Sequence, residues 1–213
     1  MKRLLLIALL CAFSGTVLGN DPSGTIQLPD PQVTGGKTLN EALLNRKSTR
    51  AFSSKKLDLQ TLSNLLWSAQ GVNRNDGRRT APSALNSQET SLYLILEEGV
   101  YCYDAFKNQL VLIAEGDHRD LAGTQEYTHS APVTVIYVAD FAKLKIESKE
   151  DQIRCASADV GFIGQNIYLF AANNGLATVF RASLDRPALV KCLKLNDKQE
   201  VLFAQSIGYP QQQ

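Results

Sequence analysis

Arg46-Lys47-Ser48-Thr49-Arg50 sets three cations and two hydroxyls within five residues. Such a run can grip a phosphate, because arginine offers a planar fork of donors and serine a short hydroxyl. It also fits a solvated helix end, where cations meet the negative end of the dipole. A second stretch, Arg79-Thr80-Ala81-Pro82-Ser83-Ala84-Leu85-Asn86-Ser87-Gln88, gathers hydroxyls and amides about a turn. That set suits hydrogen bonding to the polar edge of a flat heterocycle.

Other chemistries find no support. The two histidines, His118 and His129, have no cysteine or carboxylate neighbour at metal-ligand spacing, so no metal site is expected. There is no G-x-S-x-G elbow and no G-x-G-x-x-G fingerprint. Ser53-Ser54-Lys55-Lys56 fits S-x-x-K, a pattern common by chance. Gly35-Gly36-Lys37-Thr38 has the ending of a P-loop, but Pro31 stands where its first glycine belongs.

With 213 residues, 44% hydrophobic and 20% charged, the chain fits one globular domain with a substantial core. Lys plus Arg number 22 against 21 for Asp plus Glu, so no nucleic-acid surface is expected. Met1 to Gly19 reads as a secretory signal: Lys2 and Arg3, then an apolar run from Leu4 to Phe13, then Val17 and Gly19 placed for cleavage before Asn20. That run is too short to span a bilayer. The expected product is exported, periplasmic or secreted, with no membrane span once the signal is removed. Losing residues 1–19 leaves 20 basic against 21 acidic residues, and Cys102, Cys155 and Cys192 remain, enough for at most one disulfide.

The elements that must position these groups follow from spacing. Residues 20–37 read as an extended arm or linker ahead of a body at 38–213. Thr38-Leu39-Asn40-Glu41 is a capping box opening a helix to about Arg46. Asp58 caps a second helix, with Leu59, Leu62, Leu65, Leu66 and Ala69 on one face and Gly71 as its stop. Strands are expected at 91–97, 100–103 and 109–113, the last two joined by a turn at 104–108. The apolar run at 132–139 predicts a central strand covered on both faces. A long helix from about Asp151 to Asn174, a strand at 178–181, a helix over 187–195 capped by Asp185, and a strand at 201–207 complete an α+β pattern. Trp67, Tyr101 and Tyr103 are expected to be packing residues.

In chain order, R-K-S-T-R-A-F (46–52), L-L-W-S-A-Q-G-V-N-R (65–74), R-T-A-P-S-A-L-N-S-Q (79–88), G-V-Y-C-Y-D (99–104), Q-E-Y-T-H-S-A-P-V-T-V (125–135), G-Q-N-I-Y-L-F-A-A-N-N-G-L (164–176) and I-G-Y-P (207–210) resemble the FMN-dependent nitroreductase family. The L-L-W-S-A-Q-G and G-V-Y-x-Y-D stretches look most like its SagB-type, thiazole/oxazole-forming dehydrogenase branch. The resemblance implies a nitroreductase-like α+β fold, a central mostly antiparallel sheet flanked by helices, and an intertwined homodimer with FMN at the interface. By that resemblance Arg46, Lys47, Ser48 and Arg50 form the first flavin segment, Arg46 and Ser48 toward the phosphate and Arg50 toward the pyrimidine edge. Pro82, Ser83, Ala84 and Asn86 match the segment that reaches the partner's flavin, Gln125 a ring-side amide, and Ala182 and Ser183 a loop presenting N–H groups to flavin N5. The family's C-terminal cation is missing after Tyr209, and Arg181 is expected to substitute at the phosphate or pyrimidine edge. The implied activity passes electrons between a reduced donor, NAD(P)H or another, and a small organic acceptor. The alternatives are a non-catalytic protein of the same fold that binds flavin or a related ligand, and a dehydrogenase of a peptide or azoline-like substrate.

Overall fold

A strand with no polar residue between Val135 and Ala139 must be covered on both faces, and the fold is built around that requirement. In the computed structural model, which describes residues 24–212, the strand β5 (Val133–Asp140) lies inside a seven-stranded sheet. The other strands are β1 (Thr25–Gln27), β2 (Thr90–Ile95), β3 (Gly99–Asp104), β4 (Gln109–Glu115), β6 (Ala177–Arg181) and β7 (Gln199–Gly208). Their order is β1-β4-β3-β2-β5-β7-β6, and every named pairing is antiparallel. The α+β expectation with a central antiparallel sheet therefore holds.

Helices α1 (Leu39–Asn45), α2 (Leu59–Gln70), α3 (Glu126–Ser130), α4 (Lys149–Asn174) and α5 (Arg186–Cys192) and two 3-10 turns, Ala84–Asn86 and Arg119–Ala122, flank the sheet. On one face Val133, Val135, Tyr137 and Ala139 pack with Leu62, Leu65 and Leu66 of α2 and Ala156, Val160, Ile163 and Ile167 of α4. On the other, Ile136 and Val138 pack with Ala122 and with Leu189 of α5. At about 1.5 Å per residue, α4 runs roughly 39 Å, and Gly175 closes it in the left-handed region, φ 67°.

The segment expected as an arm is extended, and part of it is edge strand β1, paired with β4, with Leu28 in the core. The folded body therefore begins ahead of residue 38. Thr25-Ile26-Gln27 has two β-branched residues and a glutamine, too short a run to signal a strand. The five-residue α3 likewise lacks a side-chain cap to signal it. The signal-like Met1–Gly19 and its cleavage site lie outside the described residues. Cys102, Cys155 and Cys192 are free thiols, and Tyr101 and Tyr103 are core residues as expected.

Gly71 stops α2, though with ordinary extended backbone, φ −66° and ψ 159°. What it supplies is space: a Cβ there would come within 2.6 Å of the Trp67 Cα. Gly71→Ala is expected to cost about 1–3 kcal/mol of stability by forcing the helix end apart, read as a lowered denaturant midpoint.

Candidate functional site

The capping box fixes where α1 begins: the Thr38 hydroxyl accepts from the Glu41 N–H at 3.3 Å, and the Glu41 carboxylate accepts from the Thr38 N–H at 2.7 Å. Beyond the C-cap Arg46 the chain is extended, and the Thr49 N–H donates to the Thr178 carbonyl of β6 at 2.9 Å. Residues 46–50 thus run along the edge of β6, beside α4. There they meet Tyr168. The Arg46 guanidinium lies 5.3 Å over its ring, and the Ser48 hydroxyl is 2.7 Å from its hydroxyl. The Phe180 N–H donates to that same tyrosine oxygen at 3.0 Å, which leaves the phenolic proton free for Ser48. Lys47, Ser48 and Arg50 are exposed, and among the described residues none of Arg46, Lys47 and Arg50 has an acidic partner at ion-pair distance. Uncompensated cations beside hydroxyl donors form an anion-binding edge.

The C-terminal segment closes this edge without adding charge. Phe52 bridges Pro210, the Ser53 N–H donates to the Tyr209 carbonyl, and the Gln211 N–H donates to the Ala51 carbonyl. Beside this segment the Lys55 ammonium sits 4.2 Å over the Tyr209 ring.

Pro82, Ser83, Ala84 and Asn86 occupy a loop anchored at a different level of α4. The Ala84 N–H donates to Asp159 at 2.8 Å, and the Ser83 hydroxyl accepts from the Gln88 N–H at 3.0 Å. Leu85, Asn86 and Gln88 all have positive φ, 55°, 52° and 48°, and Leu85 is 75% exposed. Asp159 precedes Tyr168 by nine residues, so the two segments sit roughly 14 Å apart along the helix axis. Burial, with Glu89 adjoining, pushes the Asp159 carboxyl up to about 6, against the pull of the Ala84 N–H.

Arg181 is buried and bonded within the fold. Phe180 faces α4, touching the Cβ position of Gly164, so Arg181 points to the opposite face of the sheet. It is 7% exposed, donates to the Ser206 hydroxyl at 2.9 Å and to the Ala122 carbonyl, and leaves its Nε without a partner. Burial lowers its guanidinium to about 10. The structure does not bring this cation to Ser48. Gln125, exposed, accepts from the Tyr127 hydroxyl at 2.8 Å near the same face. Ala182 and Ser183 are exposed at the end of edge strand β6, with the Ala182 carbonyl accepting from Arg186.

Sequence reasoning missed Tyr168 and Asp159, the α4 side chains that anchor the two segments. Ser48 and Tyr168 are 120 residues apart, and no local pattern links them. It also missed a cavity of about 500 Å³, lined by Ile26, Leu57, Leu62, Leu96, Tyr101 and Val133 and edged by Lys56 and Glu98, which none of the expected site residues reaches.

Residues 43–209 match the model of the nitroreductase family. A provisionally named nitroreductase of Methanocaldococcus jannaschii is 32% identical over 164 residues, spanning 72% of this chain and 81% of the relative. The crystal structure of a provisionally named nitroreductase from Ralstonia eutropha superimposes with a TM-score of 0.84 at 35% identity, covering 89% of this chain and 90% of that one. The NADPH:FMN oxidoreductase of Vibrio harveyi shares the fold, TM-score 0.61 at 20% identity, over 82% of this chain and 69% of its own. The chain belongs to the nitroreductase family.

If Tyr168 organises the basic edge, Tyr168→Phe keeps the Arg46 stack and loses both hydrogen bonds. The expected cost is about 1–2 kcal/mol in chemical unfolding, with Tyr168→Leu losing roughly 0.5–1 kcal/mol more.

Proposed function

We propose that this chain is an exported FMN-dependent oxidoreductase that works as a homodimer. The observation that carries the reading is the row of cations at Arg46, Lys47 and Arg50, without acidic partners among the described residues and set beside the Ser48 hydroxyl, on the segment where family membership expects the flavin phosphate. The donor set fits the dianionic phosphate of FMN and the electron-rich edge of its ring. Bound FMN supplies hydride and electron transfer.

The chain's own residues do the rest. Arg46, held by Tyr168, and Ser48 bind phosphate, with Lys47 adding charge. Arg50, exposed, places positive charge at the pyrimidine edge, where negative charge develops on reduction. Gln125 offers an amide to the ring, and Ala182 and Ser183 border it from the end of β6. Pro82, Ser83, Ala84 and Asn86, about 14 Å away along α4, serve the flavin of a second copy. Exposed apolar side chains support that copy: Leu39, Leu44, Leu85 and Phe162 are 64%, 85%, 75% and 49% exposed, more than a monomer's surface favours. The electron donor is NAD(P)H or another reductant, and the acceptor a small organic molecule.

A second reading, a flavin binder without turnover, is favoured by the C-terminal segment that packs on residues 51–53 without contributing a cation. Its signature is a flavin reducible by dithionite and idle with every donor and acceptor pair.

The test is the absorption spectrum of the purified chain before and after adding FMN and removing the excess. Retained flavin bands are expected. Arg46→Ala and Ser48→Ala are each expected to weaken FMN binding by roughly 10- to 100-fold in titration, the worth of a charge-assisted hydrogen bond. A colourless monomer that takes up no FMN overturns the reading. For export, the N-terminal sequence of the mature protein should begin at Asn20.

A further inference from the structure

The cavity of about 500 Å³ shares no lining residue with the basic edge or with the Pro82–Gln88 loop. Its walls are drawn from separate parts of the chain: Ile26 of β1, Leu57 and Leu59 where the chain enters α2, Leu96 just beyond β2, and Val133 of β5. Small-molecule sites occupy about 300–1,000 Å³ and combine an apolar wall with a few placed polar groups. Both the size and the wall fit.

One polar group breaks that wall. Tyr101 of β3 lines the cavity and is 6% exposed, yet its hydroxyl has no hydrogen-bond partner among the described residues. Other buried tyrosines are answered: Tyr103 donates to the Asn108 side chain at 3.2 Å, Tyr137 to Gln205 at 2.6 Å, and Tyr93 is bonded with Cys102. A buried phenol ordinarily finds a partner, so an unanswered one beside an open space marks a place for an acceptor. Burial raises the Tyr101 phenol, and Glu98 and Glu115 add to the rise, so it keeps its proton and stands as a donor.

The charged rim, by contrast, is already paired. Lys56 meets Glu97 at 2.7 Å and also Glu98, tying the segment ahead of α2 to the turn between β2 and β3. Arg119 meets Asp117 at 2.6 Å. The Asp58 carboxylate accepts from the Thr61 N–H at 2.7 Å and from the Thr61 hydroxyl at 3.1 Å. A charged ligand would have to displace one of these partners and shed its own hydration to enter an apolar space. An uncharged ligand needs only an acceptor for the phenol.

We propose that this cavity is a binding site for an uncharged, largely apolar carbonyl compound whose oxygen accepts a hydrogen bond from the Tyr101 hydroxyl. Apolar burial supplies the driving force, Tyr101 selects the carbonyl, and the paired rim disfavours ions. The site uses none of the residues assigned to the flavin, so it stands or falls apart from that reading.

The experiment is calorimetric titration of the full chain, with and without saturating FMN, using methyl heptyl ketone and octanoate, which carries the same alkyl chain on a carboxylate. The ketone is expected to bind at a single site with equal affinity in both preparations, and octanoate about tenfold more weakly or not at all. Tyr101→Phe keeps the ring and removes an oxygen that bonds nothing else in the fold. Ketone affinity should fall about five- to tenfold, the worth of one hydrogen bond, with the denaturant midpoint no lower than in the wild type. Leu57→Trp fills the cavity from a loop and should abolish ketone binding while FMN affinity is unchanged; if that variant does not fold, Tyr101→Phe carries the test. In methyl NMR spectra the ketone should shift Ile26, Leu62, Leu96 and Val133 and leave Leu189, on the opposite face of the sheet, in place. No ketone binding, equal binding of octanoate, an affinity untouched by Tyr101→Phe, or displacement of the ketone by FMN each overturns the proposal. Ketone binding of this pattern by a chain that takes up no FMN upholds the site and removes the flavin reading.

Discussion

Strand β5 cannot have a wet face, and most of the molecule is arranged by that constraint. With Val133 through Ala139 all buried, helices or turns must cover the sheet on both sides, and α4 with α2 takes one while α3, α5 and the Arg119–Ala122 turn take the other. The sheet then becomes a partition. Tyr168 and Asp159 stand on the α4 side, whereas Arg181 projects to the other. Groups that neighbour one another along the chain, such as Phe180 and Arg181, are separated by the period-two alternation of a strand.

Helix α4 turns that partition into a site. Its apolar stripe, Ala156, Val160, Ile163 and Ile167, fixes its rotation against the sheet. Once that rotation is set, Tyr168 meets the chain leaving α1 and Asp159 meets the loop before β2. One rigid element thereby spaces a basic edge and a strained loop, the spacing on which the proposed flavin site rests.

Buried polarity marks where function departs from packing. The hydroxyl of Tyr137 donates to Gln205, whose amide in turn donates to Thr178 at 3.0 Å, so that network is satisfied and structural. Among the described residues Arg181 keeps an orphaned Nε, and burial raises the Asp159 carboxyl. Groups left in these states cost stability, and a fold keeps them where position matters more than stability.

Elements whose signals are local were legible in the sequence: the Thr38-Glu41 capping box, the Asp58 cap, the hairpin at 104–108 and the doubly buried β5. It also determined the family, because seven motifs in order on 46–210 need no tertiary knowledge to align. It did not reveal β1, whose three residues are a strand only because β4 offers them an open edge. Nor could it pair Ser48 with Tyr168, join Ala84 to Asp159, or turn Arg181 away from the basic cluster. Those contacts depend on the rotation of one helix and the facing of one strand, which are fixed by packing across the whole core.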